Sequence, residues 1–437
     1  MTEQVHFHTY QKHLTPNWEM LGFGPFKVLV YLPQRRSYGG YLLDVHLALR
    51  VAVAEKAALY MASPALFSKT DVAADFNNTI RLIRSPIVRI LSGSPAMDRI
   101  MERIVRWHRK ARRLLSIVRT KFGGAPDLPS ESLRRHPMTH GSRLASRVRV
   151  PVYLPSAHAR TAEDWLRARG INIDRPVAVV HIRSGEIDQK KYAEKPEIGR
   201  SKAFSRRNTT LESYFPLFDF LESEGFLVVR IGDADMPPLE RANVLDLPVM
   251  APKFHLLETY FLMRSALFVG TASGPSVLAM IADIPMACVN AVHPVASYPF
   301  RRAEVCAMKH AIDTTTGREL SCEELLGPDY LGAFDQPSHL ERYTFRENSP
   351  EEIVATVKEL IHIKDTDTPL SESQEAWKRM VVAASKRFPE ASLRVRFVGA
   401  QDGFIGEGRA AAWWLDGRLR GPDANKNNSG SRAHATE

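Results

Sequence analysis

Short apolar runs alternate with longer segments of helical length along most of the chain. The runs are rich in β-branched residues, which is typical of strands buried on both faces of a parallel sheet. They fall at 27–33, 58–62, 176–182, 226–231, 244–247, 266–269 and 286–290. The segments between them that have helical patterns are 41–58, 162–169, 211–223, 255–265 and 275–283. This βαβ rhythm predicts an α/β fold with two doubly wound, Rossmann-like domains that face a cleft.

The rhythm is interrupted by a stretch rich in Pro, Gly, Ser and Arg, residues 123–160, which suits an interdomain connection. We therefore predict an N-terminal domain over 1–155 and a second domain over 156–365. A helical extension is expected at 366–420 and a polar, disordered tail at 421–437.

Two of the predicted strands end abruptly at small and polar residues. The run 177–182 is followed by Arg183-Ser184-Gly185, and the run 266–269 by Gly-Thr-Ala-Ser-Gly-Pro-Ser at 270–276. In an open α/β sheet, ligands bind just beyond the carboxyl ends of the strands. A small-residue loop entering a helix presents backbone N–H groups to an anion, and an arginine supplies a permanently charged fork. The pair predicts a nucleotide diphosphate held between two strand ends.

The residues predicted to bind the diphosphate are His181, Arg183, Thr271, Ser273, Gly274 and Ser276. Each has a structural alternative. Arg183 could close a salt bridge at the sheet edge, His181 could be a core histidine, and the small residues could serve a tight strand-to-helix turn.

A further strand end, at Arg230 and Asp233, is a candidate for binding the nucleoside, with a turn-forming Gly-Asp as the alternative. Glu186, Asp44 and His46 are candidates for a base that deprotonates an acceptor hydroxyl. Position alone supports these three.

Five motifs in the second half of the chain occur in a fixed order. They are His-Ile-Arg-Ser-Gly-Glu (181–186), Ser-Arg-Arg-Asn-Thr-Thr-Leu-Glu-Ser-Tyr (205–214), Val-Val-Arg-Ile-Gly-Asp (228–233), Gly-Thr-Ala-Ser-Gly (270–274) and Asn-Ser-Pro-Glu-Glu-Ile (348–353). The series resembles a poorly characterised bacterial family of glycosyltransferases of surface-polysaccharide synthesis. More distantly, it resembles fucosyltransferase-type enzymes of the GT-B fold.

The resemblance implies transfer of a sugar from a nucleotide-diphosphate sugar to a glycan or lipid-linked acceptor. No metal-type cluster of Cys and His stands in the sequence, so a metal-independent enzyme is expected, with no cofactor besides the nucleotide-sugar co-substrate. Two alternatives stay open: a nucleotide-sugar epimerase or hydrolase, and a non-catalytic sugar-nucleotide-binding assembly protein at the membrane.

Residues 99–121 form a basic amphipathic pattern. Arg99, Arg103, Arg106, Lys110 and Arg113 make one stripe, and Ile100, Ile104, Trp107, Ala111, Leu114 and Val118 make the adjacent one. Such a helix suits an anionic membrane surface. The alternative is an ordinary helix whose apolar stripe packs on the first sheet. No nucleic-acid-binding motif accompanies the stripe, so nucleic acid is not an expected partner.

Charge, cysteine content and the N-terminal sequence indicate the cellular compartment. The net charge of +10 is compatible with anionic ligands, an anionic membrane surface or nucleic acid. The three cysteines have no paired spacing, which fits a reducing environment. The N-terminus lacks the order of a signal peptide, and four charges interrupt the apolar segment 41–67. We expect a cytoplasmic protein, with peripheral contact to the inner membrane face as one interpretation of 99–121.

Overall fold

The computed structural model describes residues 18–23, 25–32, 38–62, 82–91, 94–121, 144–183, 206–232, 236–251, 255–295, 297–333, 339–387 and 405–419. The predicted tail at 421–437 lies outside these ranges, as do the candidate site residues Glu186 and Asp233.

The first lobe contains a four-stranded sheet in the order β1-β2-β3-β4. Its elements are β1 (Trp18–Phe23), β2 (Phe26–Tyr31), α1 (Tyr38–Ala54), β3 (Ala58–Met61), β4 (Ile90–Leu91) and α2 (Pro95–Lys121). The β2-α1-β3 unit has parallel strands, as the βαβ rhythm predicts. β1 adds an antiparallel edge strand, which the sequence pattern did not reveal.

The second lobe contains a seven-stranded sheet whose strand pairs are all parallel. Its strands are β5 (Val177–His181), β6 (Leu227–Ile231), β7 (Val244–Asp246), β8 (Ser265–Gly270), β9 (Met286–Ala291), β10 (Glu304–Met308) and β13 (Arg409–Ala410). A separate two-stranded antiparallel sheet is formed by β11 (His310–Asp313) and β12 (Tyr343–Arg346).

The helices of this lobe lie between the strands along the chain. They are α3 (Ser156–Arg167), α4 (Phe215–Ser223), α5 (Leu247–Met250), α6 (His255–Arg264), α7 (Gly274–Ile281), α8 (Cys322–Leu325), α9 (Pro328–Ala333), α10 (Pro350–Ile363), α11 (Glu372–Arg387) and α12 (Ala412–Leu419), with 3₁₀ turns at Glu212–Tyr214 and His339–Arg342.

The strand order of the large sheet is β13-β10-β9-β8-β5-β6-β7. From β5 the chain adds β6 and β7 on one side, and then crosses to add β8, β9 and β10 on the other. The order therefore reverses between β5 and β8, which makes this position the topological switch point of a doubly wound sheet.

The core covers both faces of the large sheet. All five residues of β5 are buried, as expected for a central parallel strand. The cluster on one face includes Val180, Val228 and Val269. The cluster on the other face includes Val179 and Phe268, and it continues without a break into first-lobe residues such as Leu29, Leu42 and Leu59. The two lobes thus share one apolar core, most closely where α1 packs on α7.

The C-terminal residues 405–419 belong to the second lobe. β13 pairs with β10, and α12 packs on α11 through Trp414 and Trp377, whose ring centroids lie 5.2 Å apart. The chain thereby returns to the sheet after α11.

The predicted α/β class with two Rossmann-like lobes is confirmed. Cys288, Cys306 and Cys322 are free and buried. In the described part of the chain, no helix is long and apolar enough to cross a membrane.

Candidate functional site

The two loops singled out in the sequence flank the switch point. β5 pairs directly with β8, with His181 opposite Gly270 in the register. The backbones approach closely there, since a Cβ built on Gly270 would lie 2.8 Å from the carbonyl oxygen of His181. Glycine at this position therefore allows the two carboxyl ends to meet side by side.

Helix α7 begins directly at this junction. Ser273 is its N-cap in an extended conformation, and Pro275 stands in the first turn. Ser276 Oγ accepts a hydrogen bond from the Ser273 N–H (3.1 Å) and donates to the Ser273 carbonyl (2.7 Å). The start of the helix, where partial positive charge collects, is therefore fixed at the ends of β5 and β8.

His181 joins the same network. Its Nδ1 lies 3.1 Å from the Ser273 hydroxyl, so the strand end and the helix cap are connected through side chains. Burial, and then the neighbouring cations Arg183 and Arg230, lower the pKa of His181 to about 3. The imidazole is therefore neutral at physiological pH, and any positive charge offered to an anion here comes from other groups.

Thr271 follows β8 and is fully buried. Its Oγ1 has no hydrogen-bond partner among the described residues. A buried hydroxyl without a partner costs free energy, so this atom is one that a bound ligand could satisfy.

Arg183 lies just beyond β5 and is half-buried. Its Nε donates to Asn208 Oδ1 at 3.1 Å, and its carbonyl accepts from the Thr209 N–H at 3.0 Å. Arg207, next in the chain to Asn208, donates from Nη1 to the Ala272 carbonyl at 2.8 Å. The segment 206–210 thus connects Arg183 with the small-residue loop. Arg207 of this segment contacts the loop through its guanidinium group.

An open pocket of about 530 Å³ adjoins this segment. That volume is within the range of small-molecule sites. Its lining residues are Arg206, Asn208, Thr209, Thr210, Lys309, Tyr343, Thr344, Phe345 and Glu347.

Lys309 and Arg206 give the pocket its positive charge. Lys309 follows β10, and its Nζ donates to the Asn208 carbonyl (2.6 Å) and lies 3.8 Å from Glu347 Oε1. Burial lowers the pKa of Lys309, and Glu347 opposes that shift. Within the described residues, Arg206 Nη1 is buried without a hydrogen-bond partner. The guanidinium carbon of Arg206 lies 5.6 Å from the centre of the Phe345 ring, so this cation forms part of the pocket wall.

The Asn-Ser-Pro-Glu-Glu-Ile motif has a structural basis. Asn348 and Asn290 exchange backbone-to-side-chain hydrogen bonds of 2.7 Å in both directions, and both residues are buried. Asn290 has a φ of 55°, a conformation that asparagine tolerates better than most residues. Ser349 then caps α10, with Glu352 completing the capping box.

Arg230 differs from its predicted role. Its side chain is buried and makes two bonds to Asp246, at 2.7 and 2.8 Å, on the adjacent strand β7. A further bond reaches the Pro237 carbonyl at 2.7 Å. These contacts hold β6, β7 and the 237–239 segment together, so we assign Arg230 to the structure of the sheet rather than to the nucleoside.

His46 is likewise placed in packing. It is buried in α1, with Nδ1 3.0 Å from Arg50 Nη1. Burial and the guanidinium groups of Arg50 and Arg301 hold the pKa of His46 well below its usual range. Arg50 itself donates to the Met280 carbonyl, at the far end of α7 from its cap. His46 therefore lies near the C-terminal end of α7, about 9 Å along the helix axis from its first turn.

Asp44 is half-buried and accepts a hydrogen bond from the Tyr31 hydroxyl at 3.1 Å, at the carboxyl end of β2. Its role as a base stays a prediction. Glu186 and Asp233 cannot be placed, because both lie outside the described residues.

Sequence reasoning missed Arg207 and Lys309. Lys309 could have been found from the signal that marked Arg183, a cation directly after an apolar strand. The strand in question, β10, was not predicted. No group of His, Cys, Asp and Glu in the described ranges is arranged to hold a metal ion.

Comparisons with known proteins give similarity to glycosyltransferase structures. No family model and no curated protein matches the chain. The ADP-heptose lipopolysaccharide heptosyltransferase II of E. coli is 12% identical, with 78% of this chain and 99% of that chain covered, at a TM-score of 0.39. A glycosyl transferase family 9 protein from Veillonella parvula is 11% identical, with 77% and 96% covered, at a TM-score of 0.36.

A third structure is the dodecameric iron-containing heptosyltransferase TibC in complex with ADP-D-beta-D-heptose. It is 14% identical, with 79% of this chain and 78% of that chain covered, at a TM-score of 0.34.

Proposed function

We propose that this chain is a glycosyltransferase that takes its sugar from a nucleotide-diphosphate sugar bound at the switch point of the large sheet. One observation carries the proposal: the order of the sheet reverses between β5 and β8, and these two paired strand ends lead directly to Arg183 and to the capped start of α7. Open α/β sheets bind their ligands at this point.

The charge distribution fits a diphosphate. The start of α7 contributes partial positive charge, and Arg183 and Arg207 contribute full charges that do not depend on pH near neutrality. Thr271 Oγ1, directly after β8, is a buried hydroxyl without a partner among the described residues, and a phosphate oxygen is an acceptor that could satisfy it. The pocket beside Asn208 leaves room for a further part of the donor.

The chemistry follows from the leaving group. When the glycosidic bond breaks, negative charge builds on the departing nucleoside diphosphate. Cations and helix dipoles already in place stabilise that charge more strongly in the transition state than in the ground state. Asp44 and Glu186 are our candidates for the base that accepts the proton of the acceptor hydroxyl. A growing surface glycan or a lipid-linked sugar is the proposed acceptor.

The proposal is tested by calorimetric binding of GDP, UDP, ADP and dTDP, with CMP as a control ligand lacking the diphosphate. We expect one diphosphate to bind, and Arg183→Ala to weaken it at least about tenfold, because charge-assisted hydrogen bonds are lost. Arg167→Ala is the matched control. Arg167 ends α3 before the amino end of β5, is exposed, and pairs with Glu163 and Asp164.

Turnover of the matching nucleotide-sugar separates the proposal from its alternatives. We expect sugar transfer that depends on an added acceptor and falls by about 10² or more in Arg183→Ala. Donor turnover without any acceptor would indicate a hydrolase or epimerase. Binding without turnover under any acceptor would indicate a non-catalytic binding protein. If no diphosphate binds, or Arg183→Ala binds as tightly as the unaltered protein, the site is wrongly assigned.

A further inference from the structure

Helix α2 is attached to the first sheet by a mostly polar face. Tyr60 donates to Asp98 Oδ1 at 2.6 Å. Glu19 on β1 is only 5% exposed and accepts from Arg109 at 2.8 Å, while Arg112 lies 2.9 Å from it. Among the described side chains of α2, Val105 is the one apolar residue that is fully buried. It packs in a small cluster with Leu21, Val30 and Tyr60.

The large apolar side chains on the rest of the α2 surface are exposed. Trp107 is 71% exposed and Leu114 is 64% exposed, and Ile100, Leu115, Ile117 and Val118 are exposed as well. At about 100° per residue, Ile100, Trp107, Leu114 and Val118 fall within an arc of roughly 40°. The alternative interpretation of 99–121, in which the apolar stripe packs on the first sheet, is therefore wrong for this helix.

A cationic row borders this apolar row. Arg99, Arg103, Arg106 and Lys110 are all exposed and occupy the adjoining arc of roughly 60°. Arg106 has an acidic partner in Glu102 on the same helix. The side chain of Arg113, predicted to extend the row, lies outside the described side chains.

We propose that the outer face of α2 is a docking surface for an anionic lipid bilayer. The apolar row would enter the boundary between headgroups and acyl chains, and the cationic row would contact the acidic headgroups. This inference stands independently of the proposed glycosyl transfer, because it uses none of the residues at the switch point.

The arrangement selects a lipid surface over other occupants. A second copy of the helix packed antiparallel and face to face would set the two cationic rows beside each other. A nucleic acid would use the cations and leave Trp107 and Leu114 in water. An anionic bilayer satisfies both rows at once, and its binding should weaken with salt because part of the attraction is electrostatic.

The test is co-sedimentation of the full chain with vesicles of phosphatidylcholine, with and without phosphatidylglycerol, at about 0.15 M salt. We expect binding to the anionic vesicles at least about tenfold stronger than to the neutral ones. The variant Trp107→Ser/Leu114→Ser should lose at least about tenfold, and Arg103→Glu/Lys110→Glu should lose the preference for anionic lipid. Both pairs are exposed, so the thermal midpoint of unfolding should stay close to that of the unaltered protein.

Phe26→Ser is the matched control, since Phe26 is an equally exposed aromatic residue (72%) on the first sheet. It should bind vesicles like the unaltered protein. Equal binding to both vesicle types, or undiminished binding of Trp107→Ser/Leu114→Ser, would overturn the proposal. Self-association that Trp107→Ser/Leu114→Ser abolishes, without vesicle binding, would also overturn it and would assign the face to a second copy.

Discussion

The guanidinium of Arg50 on α1 lies 2.6 Å from the carboxylate of Asp283, directly beyond α7, and joins the two lobes of the protein. The Arg50 side chain is fully buried, while Asp283 also lies 3.2 Å from Arg301 and accepts from the Val150 N–H. Burial lowers the pKa of Arg50 to about 10, which leaves it charged at neutral pH. This pair is the centre of the polar contacts between the lobes.

Removal of Arg50 should therefore destabilise the whole protein. We expect Arg50→Met to lower the free energy of unfolding by about 2 kcal/mol, because the partly buried Asp283 carboxylate loses the nearer of its two arginine partners. Urea denaturation measures the change. Arg167→Met, at an exposed arginine with acidic neighbours, should stay within about 0.5 kcal/mol of the unaltered protein. Equal effects of the two substitutions would contradict an interlobe role for Arg50.

Arg230 and Arg183 should respond oppositely to substitution. Arg230→Met leaves Asp246 buried without its cation, so we expect a loss of about 3–5 kcal/mol in unfolding free energy, with nucleotide affinity little changed in the folded protein. Arg183→Ala should weaken nucleotide binding and leave stability nearly unchanged. Denaturation and calorimetry on the same preparations separate the two effects. If Arg230→Met weakens nucleotide binding and leaves the free energy of unfolding unchanged, Arg230 belongs to the ligand site instead.

Gly270 should tolerate no side chain. A methyl group there would lie 2.8 Å from the His181 carbonyl and about as close to the Phe268 ring, so β5 and β8 must separate. We expect Gly270→Ala to cost about 1–3 kcal/mol and to weaken nucleotide binding as well. Gly332→Ala is the control, since an added Cβ there meets no described atom within 4 Å. That change should be neutral or slightly stabilising.

His181 should make stability depend on pH. Its pKa of about 3 in the folded protein is far below the ordinary value near 6.5, so the unfolded chain binds the proton first. The contribution of neutral His181 to the free energy of unfolding is fully present above pH 6.5. It is lost as the pH falls below that value, by up to about 1.4 kcal/mol per pH unit. Unfolding free energies between neutral and mildly acidic pH should fall less steeply in His181→Asn. Parallel curves for the two proteins would show that His181 is not buried in its neutral form.

The central strands were predictable because burial on both faces leaves a simple signal. The run predicted at 176–182 is β5 at Val177–His181. β10 was missed because its apolar residues at 305–308 include only one β-branched residue and directly follow the charged Glu304. Its Glu304 is fully buried, where Arg301 and the Phe300 N–H bind the carboxylate. A charged residue such as Glu304 suggests an exposed position when only the sequence is considered, because its partners come close only in the folded protein.

The orientation of α2 shows a similar limit. The sequence gives the two stripes of the helix, and the spacing alone cannot say which faces the sheet. The orientation depends on Glu19, about ninety residues earlier in the chain. Its buried carboxylate binds Arg109 and Arg112, so the face of α2 that carries these arginines lies against the sheet. Arg230 is comparable, because only the pairing of β6 with β7 places Asp246 beside it.

The apolar core shared by the two lobes has a consequence for dissection of the protein. Leu29, Leu42 and Leu59 from one lobe and Leu278 and Ile281 from the other belong to a single buried cluster. A truncation near residue 155 would expose a large apolar surface on each fragment. Such fragments should precipitate when expressed alone, and either half should become soluble only when produced together with the other.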